Sequence, residues 1–319
     1  MMAKLSIIIV NWNAGDVLRE CIEAIYRTVS GQFEIIVVDN NSSDGSGSVL
    51  EKAFPEIALI KETQNLGYAR ANNIGVRRSR GEHILILNPD VIVTADAINK
   101  MVNFLETHSA IGIIGPKILD ENNNISMDTK SKSPSLLQDF IYLFLIKKAL
   151  NWVSIKLSGL AFAKKIVYNY YNKPGECEFL SGCCLLLRKE LYEILNGFDE
   201  SLPMYLDDID LCYRCRKSGK KNFYIAYAEI VHIGQYSTKK APDYKSYDIL
   251  NLKARLYYYR KHFNVHKVMA YKLIVVLSIP YLLLLDILSF PYFLLSKKLC
   301  EKASVVRKHL RYIDVIMEK

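Results

Sequence analysis

Phe33-Glu34-Ile35-Ile36-Val37-Val38-Asp39-Asn40-Asn41-Ser42-Ser43-Asp44-Gly45 passes from an apolar stretch, unbroken over residues 35–38, straight into a polar turn. Such a run, too short for a helix and rich in β-branched residues, reads as a strand buried on both faces. Residues 5–10, 57–61, 83–87 and 111–114 repeat the pattern, and residues 17–29, 46–53, 68–78 and 95–106 between them have helical spacing. Strands alternating with helices predict an α/β domain whose mostly parallel sheet is covered by helices on both faces. Ligands in such sheets bind at the carboxyl ends of the strands. Four of these ends carry Asn11-Trp12-Asn13, Asp39 to Gly45, Asn65-Leu66-Gly67-Tyr68 and Asn88-Pro89-Asp90. Turn and cap chemistry explains any one of them and accounts for most of residues 42–45. It explains less well why four successive strands end in polar side chains.

A dinucleotide site needs G-x-G-x-x-G after the first strand. Here that turn holds only Gly15, and Gly45-x-Gly47 follows the second strand instead. There is no P-loop either. Further on, residues 120–132 read as a polar hairpin or loop and residues 136–163 as an amphipathic helix pair. Residues 179–187 read as one apolar strand. The acidic set Asp207, Asp208 and Asp210 opens a helical pattern, and residues 222–226 form a short strand leading to His232. Seven cysteines show no disulfide framework. Cys212-x-x-Cys215 lacks the second pair that a zinc site needs, so a buried thiol and its neighbour in a reduced compartment are expected. The apolar run at residues 5–10 is too short for the core of a signal peptide.

Taken in order, these motifs resemble family 2 glycosyltransferases of the GT-A fold. Asn65 to Gly75 and Leu87-Asn88-Pro89-Asp90 are similar to the rhamnosyltransferase-like branch. Phe179 to Gly182, Gly197-Phe198-Asp199-Glu200, Asp207 to Cys212 and His232-x-Gly234 continue the likeness, which covers about residues 4–262. It implies an inverting transfer of a sugar, with rhamnose from dTDP-rhamnose favoured over a UDP-sugar, to a saccharide acceptor in surface polysaccharide synthesis. It also implies a divalent cation, Mg2+ or Mn2+, held by Asp90 and His232. Asn88 stands where the family's first metal aspartate is usual. Asp208 matches the catalytic base, although acids here also suit the positive end of a helix. Asp207 stands where Glu is usual. Asn11, Trp12, Asp39, Asn65, Gly67 and Arg70 are expected around the nucleotide, with Arg70 as a phosphate partner or a solvated helix residue. Asn88 also keeps open a different class, a catalytically silent nucleotide-sugar-binding subunit of a glycan assembly complex.

The charge divides the chain. Residues 1–240 carry 28 Lys and Arg against 27 Asp and Glu, whereas residues 241–319 carry 14 against 6. The first part is expected to be the catalytic domain, with a nucleotide-sugar half at 1–115 and an acceptor half at 116–240. The rest reads as a basic, apolar helical extension. Residues 273–295 are long enough for a bilayer, but Pro280, Asp286 and Pro291 argue against a simple span. An extension lying at an anionic membrane surface, or packed on the protein as a helical hairpin, both fit. Lipid explains the apolar run better than nucleic acid does. The resulting expectation is a cytoplasmic enzyme, peripheral at the inner face of the membrane, acting on an acceptor that is lipid-linked.

Overall fold

The computed structural model describes residues 4–127, 129–144, 168–202, 205–234, 247–288, 312, 313 and 315–317. The chain divides into two compact units. The first comprises Met1–Ser133, Lys165–Ser201 and Asp207–Tyr244; the second comprises Pro134–Lys164, Leu202–Leu206 and Lys245–Lys319.

In the first unit, β1 (Leu5–Asn11), α1 (Asp16–Thr28), β2 (Phe33–Asp39), α2 (Ser46–Ala53), β3 (Ala58–Lys61), α3 (Tyr68–Arg78) and β4 (His83–Leu87) follow in the expected alternation. β5 (Val91–Val93), a short strand not among the expected ones, comes directly after β4, and α4 (Ala97–Thr107) and β6 (Ile111–Leu119) follow. Ile7 and Ile9 enter the core under α1 and α4, while Ile8 enters the one under α3, so both faces of β1 are dry. This is the period-two geometry of a strand acting on a wholly apolar run. α3 lies flush on the sheet at Gly75, where a Cβ would come within 2.4 Å of Ile8 Cγ2.

β7 (Lys130–Ser131) pairs with β9 (Phe179–Leu180), apart from the main sheet. The rest of the unit is β8 (Gly175–Cys177), β10 (Cys184–Arg188), α6 (Lys189–Ile194), α7 (Asp207–Lys217) and β11 (Lys221–His232). The nine-stranded sheet has the order β3-β2-β1-β4-β10-β6-β11-β5, with β8 also on β11. It is parallel from β3 to β4 and between β6 and β11. β10 runs antiparallel between β4 and β6, and β5 and β8 run antiparallel to β11. Residues 179–187 are therefore not one strand. They split into β9 and β10 around the turn Ser181-Gly182-Cys183, for a reason that lies in the candidate site.

The second unit contains α5 (Leu136–Leu143), α8 (Tyr247–His262) and α9 (Val265–Leu288). Leu143, Leu252, Leu256, Tyr259, Tyr271, Val275 and Tyr312 share one apolar cluster. The acid buried there is Asp139, which accepts hydrogen bonds from Arg255 and from Tyr259 Oη (2.6 Å). The second helix expected over 136–163, and residues 289–295 of the apolar run, lie outside the described residues.

Candidate active site

The loops after β1 and β2 are stitched together by short polar side chains. Asn11 is fully buried, and its Nδ2 donates to Asp39 Oδ1 (3.1 Å), Ser42 Oγ (3.1 Å) and Ser46 Oγ (2.8 Å). Asn11, expected at the nucleotide base, braces the carboxylate of Asp39. The half-buried Trp12 follows it. The other oxygen of Asp39 lies over Gly47, where a Cβ would stand 2.6 Å from Oδ2. That glycine exists to make room for a carboxylate. Asp44 closes the turn. Burial works to raise its carboxyl, but bonds from the Ser46 hydroxyl and from the Ser46 and Gly15 N–H groups outweigh it and hold the pKa below the ordinary value.

Asn40 does for the third loop what Asn11 does for the second. Its Nδ2 donates to Asn65 Oδ1 (2.9 Å) and its Oδ1 accepts from Leu66 N (2.8 Å), while Asn65 Oδ1 also accepts from Gly67 N (2.9 Å). Gly67 has φ 79° as the chain turns into α3. Arg70, in the first turn, is exposed and faces Glu200, with Nε 3.8 Å from Oε2. At that separation the pairing is loose and costs little to give up.

Asp90 is buried between β4 and β5, and its Oδ1 lies 3.1 Å from His232 Nε2. The two residues are 142 positions apart in sequence. Antiparallel pairing of β11 with β5 joins them: His232 stands opposite Val91, and Ile233 N donates to Asp90 O (3.0 Å). Among the described residues no three His, Cys, Asp or Glu side chains converge as a metal cage. Two donors at a strand end fit a cation that arrives with its remaining oxygen ligands on a diphosphate, as hard divalent cations commonly do. They do not fit a cage built from protein alone.

Three acids crowd the first turn of α7, and their surroundings separate them. Asp210 is completely buried and paired with Arg214, whose Nε donates to Oδ2 (2.7 Å) and whose Nη2 lies 2.6 Å from the same oxygen. Asp207 is also buried. Burial first, then the nearby charges of Asp208, Asp210 and Asp199, push its carboxyl up to about 8. Asp208 is only half-buried, and it accepts from Gly182 N (2.7 Å, Oδ2) and Ile209 N (2.8 Å, Oδ1).

The turn at residues 181–183 ties these parts together. Gly182 N is bound to Asp208, Gly182 O accepts from Tyr68 Oη (2.8 Å), and Cys183 O accepts from Asn88 N (2.9 Å). One turn thus touches the acidic helix, the loop opening α3 and the loop carrying Asp90. A second node is Asn73, whose Oδ1 accepts from Tyr192 Oη (2.5 Å) and Phe198 N (2.9 Å) and whose Nδ2 donates to Phe198 O and Glu200 Oε1 (both 2.9 Å). Gly182, Asn73 and Tyr68 stand within the motifs read from the sequence but without a role, and nothing in the sequence points to Tyr192. Cys212 and Cys215 are both buried free thiols in α7.

The family model described as glycosyl transferase family 2 matches residues 6–195. The chain is 25% identical over 259 residues to the N-acetylglucosaminyl-diphospho-decaprenol L-rhamnosyltransferase of Mycobacterium tuberculosis, a match covering 76% of this chain and 80% of that protein. It is 24% identical over 242 residues to the rhamnosyltransferase WbbL of Escherichia coli, covering 73% and 84%. Among solved structures, the mannosyltransferase PcManGT from Pyrobaculum calidifontis in complex with GDP-Man and Mn2+ aligns at a TM-score of 0.56. That alignment covers 99% of this chain and 86% of the other at 16% identity, a likeness of fold.

Proposed function

The chain belongs to glycosyl transferase family 2, in its rhamnosyltransferase-like branch and on the GT-A fold, and from that premise we propose an inverting transfer of rhamnose from dTDP-rhamnose. The acceptor is a saccharide on a lipid-linked precursor of a surface polysaccharide. Support for the sugar and the lipid comes from the relatives: one is named an N-acetylglucosaminyl-diphospho-decaprenol L-rhamnosyltransferase, and another a rhamnosyltransferase.

The observation that carries the chemistry is the turn at residues 181–183, which links the α3 loop, the Asp90 loop and Asp208. Asp208 takes the proton of the acceptor hydroxyl as its oxygen bonds to the anomeric carbon, and the bond from that carbon to the diphosphate breaks. Asp90 and His232 would hold a divalent cation, which offsets the charge gathering on the departing diphosphate. Asp39, braced by Asn11, takes the ribose or base beside Trp12, and the Asn65–Gly67 loop with Arg70 faces the phosphates. A single displacement needs one base and no nucleophilic carboxylate. Asp210, held by Arg214, and Asp207, buried with its carboxyl raised, leave Asp208 to that task.

A panel of dTDP-, UDP- and GDP-sugars, offered with Mn2+ or Mg2+ and a lipid-linked acceptor, tests this by the release of nucleoside diphosphate. The expected result is metal-dependent turnover of dTDP-rhamnose with inversion at the anomeric carbon. Preference for another donor overturns the sugar assignment. Tight nucleotide-sugar binding without turnover on any acceptor overturns catalysis and leaves a binding subunit, the outcome that Asn88 would then explain.

A further inference from the structure

α9 is apolar on two sides, and among the described residues only one of them is covered. Val268, Tyr271, Val275, Ile279 and Leu282, spaced three or four apart, are buried in the second unit's core. Tyr271 stacks on Tyr259 with ring centroids 4.9 Å apart and donates to Leu252 O (3.4 Å). On the other side Val265, Met269, Leu273, Val276, Leu277 and Leu284 follow the same helical spacing and are 46% to 65% exposed. A stripe of this kind along a 24-residue helix is a contact surface waiting for an apolar partner.

The charge around the stripe identifies the partner. From the start of α8 to the end of α9, residues 247–288 contain six Lys and Arg against two acids, Asp248 and Asp286, one at each end. Within the unit, Arg255 is matched by Asp139. Arg260 and Lys261 end α8 on exposed positions, and Lys267 and Lys272 stand on α9 itself. Two copies of the chain meeting through this face would bring two basic rims together, which like-charge repulsion opposes. An anionic lipid surface satisfies both the apolar stripe and the basic rim.

The same two faces decide the mode of contact. By length and composition α9 could cross a bilayer. Crossing would strip its inner face from Tyr259, Leu252 and Leu256 and leave the Tyr271 hydroxyl without its carbonyl. We propose that α9 lies in the plane of an anionic membrane surface, with the stripe from Val265 to Leu284 dipped into the acyl boundary while its inner face stays on α8. This deepens the reading of a lipid-linked acceptor. It stands on the helix's own faces.

The test is co-sedimentation of the full chain with vesicles of phosphatidylcholine alone and of phosphatidylcholine with phosphatidylglycerol, at low and high salt. Binding should be at least tenfold stronger to the anionic vesicles, should fall several-fold but not vanish in high salt, and should be released by alkaline carbonate. Leu273→Glu with Leu277→Glu, both on the outer face, should lose tenfold or more of the binding while keeping the wild-type melting profile. Arg260→Gln with Lys261→Gln should lose mainly the salt-sensitive part. Resistance to carbonate overturns the in-plane mode in favour of a span. Unchanged binding by the double glutamate variant overturns the assigned face. A wild-type dimer that the same variant turns into monomer, with no vesicle binding by either, shows a second copy as the occupant. The glycosyltransferase reading fails separately, through absence of turnover on any acceptor, lipid-linked or soluble, by a protein that still binds vesicles.

Discussion

Replacing Asp207 by Asn should make the protein more stable at alkaline pH and leave it unchanged in acid. Asp207 is 8% exposed, and its carboxyl is pushed up to about 8 by burial and by Asp208, Asp210 and Asp199. An ordinary aspartate titrates near 4. Between those values the folded protein holds a proton that the unfolded chain has released, so stability falls as pH rises through the window. Each unit costs about 1.4 kcal/mol, and from pH 5 to pH 8 this single group removes about 4 kcal/mol. For a chain of 319 residues that is a drop of about 6 °C in melting temperature. Asn keeps the volume and polarity without the charge. Thermal melts from pH 4 to pH 9 should show wild type and Asp207→Asn together at the acid end and parting steadily as the pH rises towards 8, the variant higher. Asp208→Asn should move the wild-type loss to higher stability at each pH, because it removes the largest neighbouring charge. Parallel profiles for wild type and Asp207→Asn, or a variant that melts lower at pH 8, would refute the reasoning.

The remaining expectations concern the chemistry. Asp208→Asn should keep nucleotide-sugar binding and lose about 10²–10⁴ of the transfer rate, whereas Asp210→Asn should strand Arg214 and cost about 3–5 kcal/mol in a denaturant titration. Near wild-type transfer by Asp208→Asn, with the loss at Asp210 instead, would reassign the base. Asp90→Ala and His232→Ala should each weaken donor binding in Mn2+ by about tenfold or more, in line with the cost of losing one metal ligand or its support, and excess chelator should do the same to the wild type. Calorimetry that finds unchanged donor affinity in chelator would sink the cation site. Gly182→Ala places a Cβ 3.0 Å from Asp208 Oδ2, tighter than normal contact, and should lower kcat with little change in the KM for donor. An unaltered kcat would show that the turn does not position the acid.

The first 115 residues were legible because each strand was a continuous apolar run and each helix had its own period. β4 and α3 fall on the residues expected of them. The break in residues 179–187 was not legible. Those residues are apolar enough for one strand, but Gly182 spends its N–H on Asp208 and its C=O on Tyr68, partners 26 and 114 residues away. No local pattern encodes a bond to a residue that distant. The antiparallel direction of β10 was hidden for a related reason, since strand direction is set by the path of the chain between strands and not by the residues within them. Arg70 shows the reverse case. Its sequence setting left a phosphate partner and a solvated position equally open, and the structure adds a third neighbour, Glu200. The meeting of Asp90 with His232 came from the family resemblance, and the register of β5 on β11 supplies its physical cause.

What the sequence could not apportion was the fate of three acids in one helical turn. The positive end of a helix carries about half an elementary charge and stabilises one carboxylate far better than three. The protein resolves the excess with a different device at each position. Asp210 faces away from solvent and is neutralised by a guanidinium that donates one hydrogen bond to it and stands in ion-pair contact. Asp207, buried beside two other acids, gives up its charge by keeping a proton at neutral pH. Asp208 is held by two backbone N–H groups, which orient a carboxylate without transferring a proton to it. Asp208 is thus the one of the three acids left half-open to solvent, at the edge of the turn that also anchors Tyr68 and Asn88. The proposed direct displacement calls for one base, with no second carboxylate close enough to trap the sugar or repel the diphosphate. The Asp207 pH profile and the Asp208 rate loss are therefore linked expectations. If Asp207 proved ionised at neutral pH, two adjacent charges would compete for the acceptor proton, and assignment of the base to Asp208 would lose its electrostatic ground together with its stability signature.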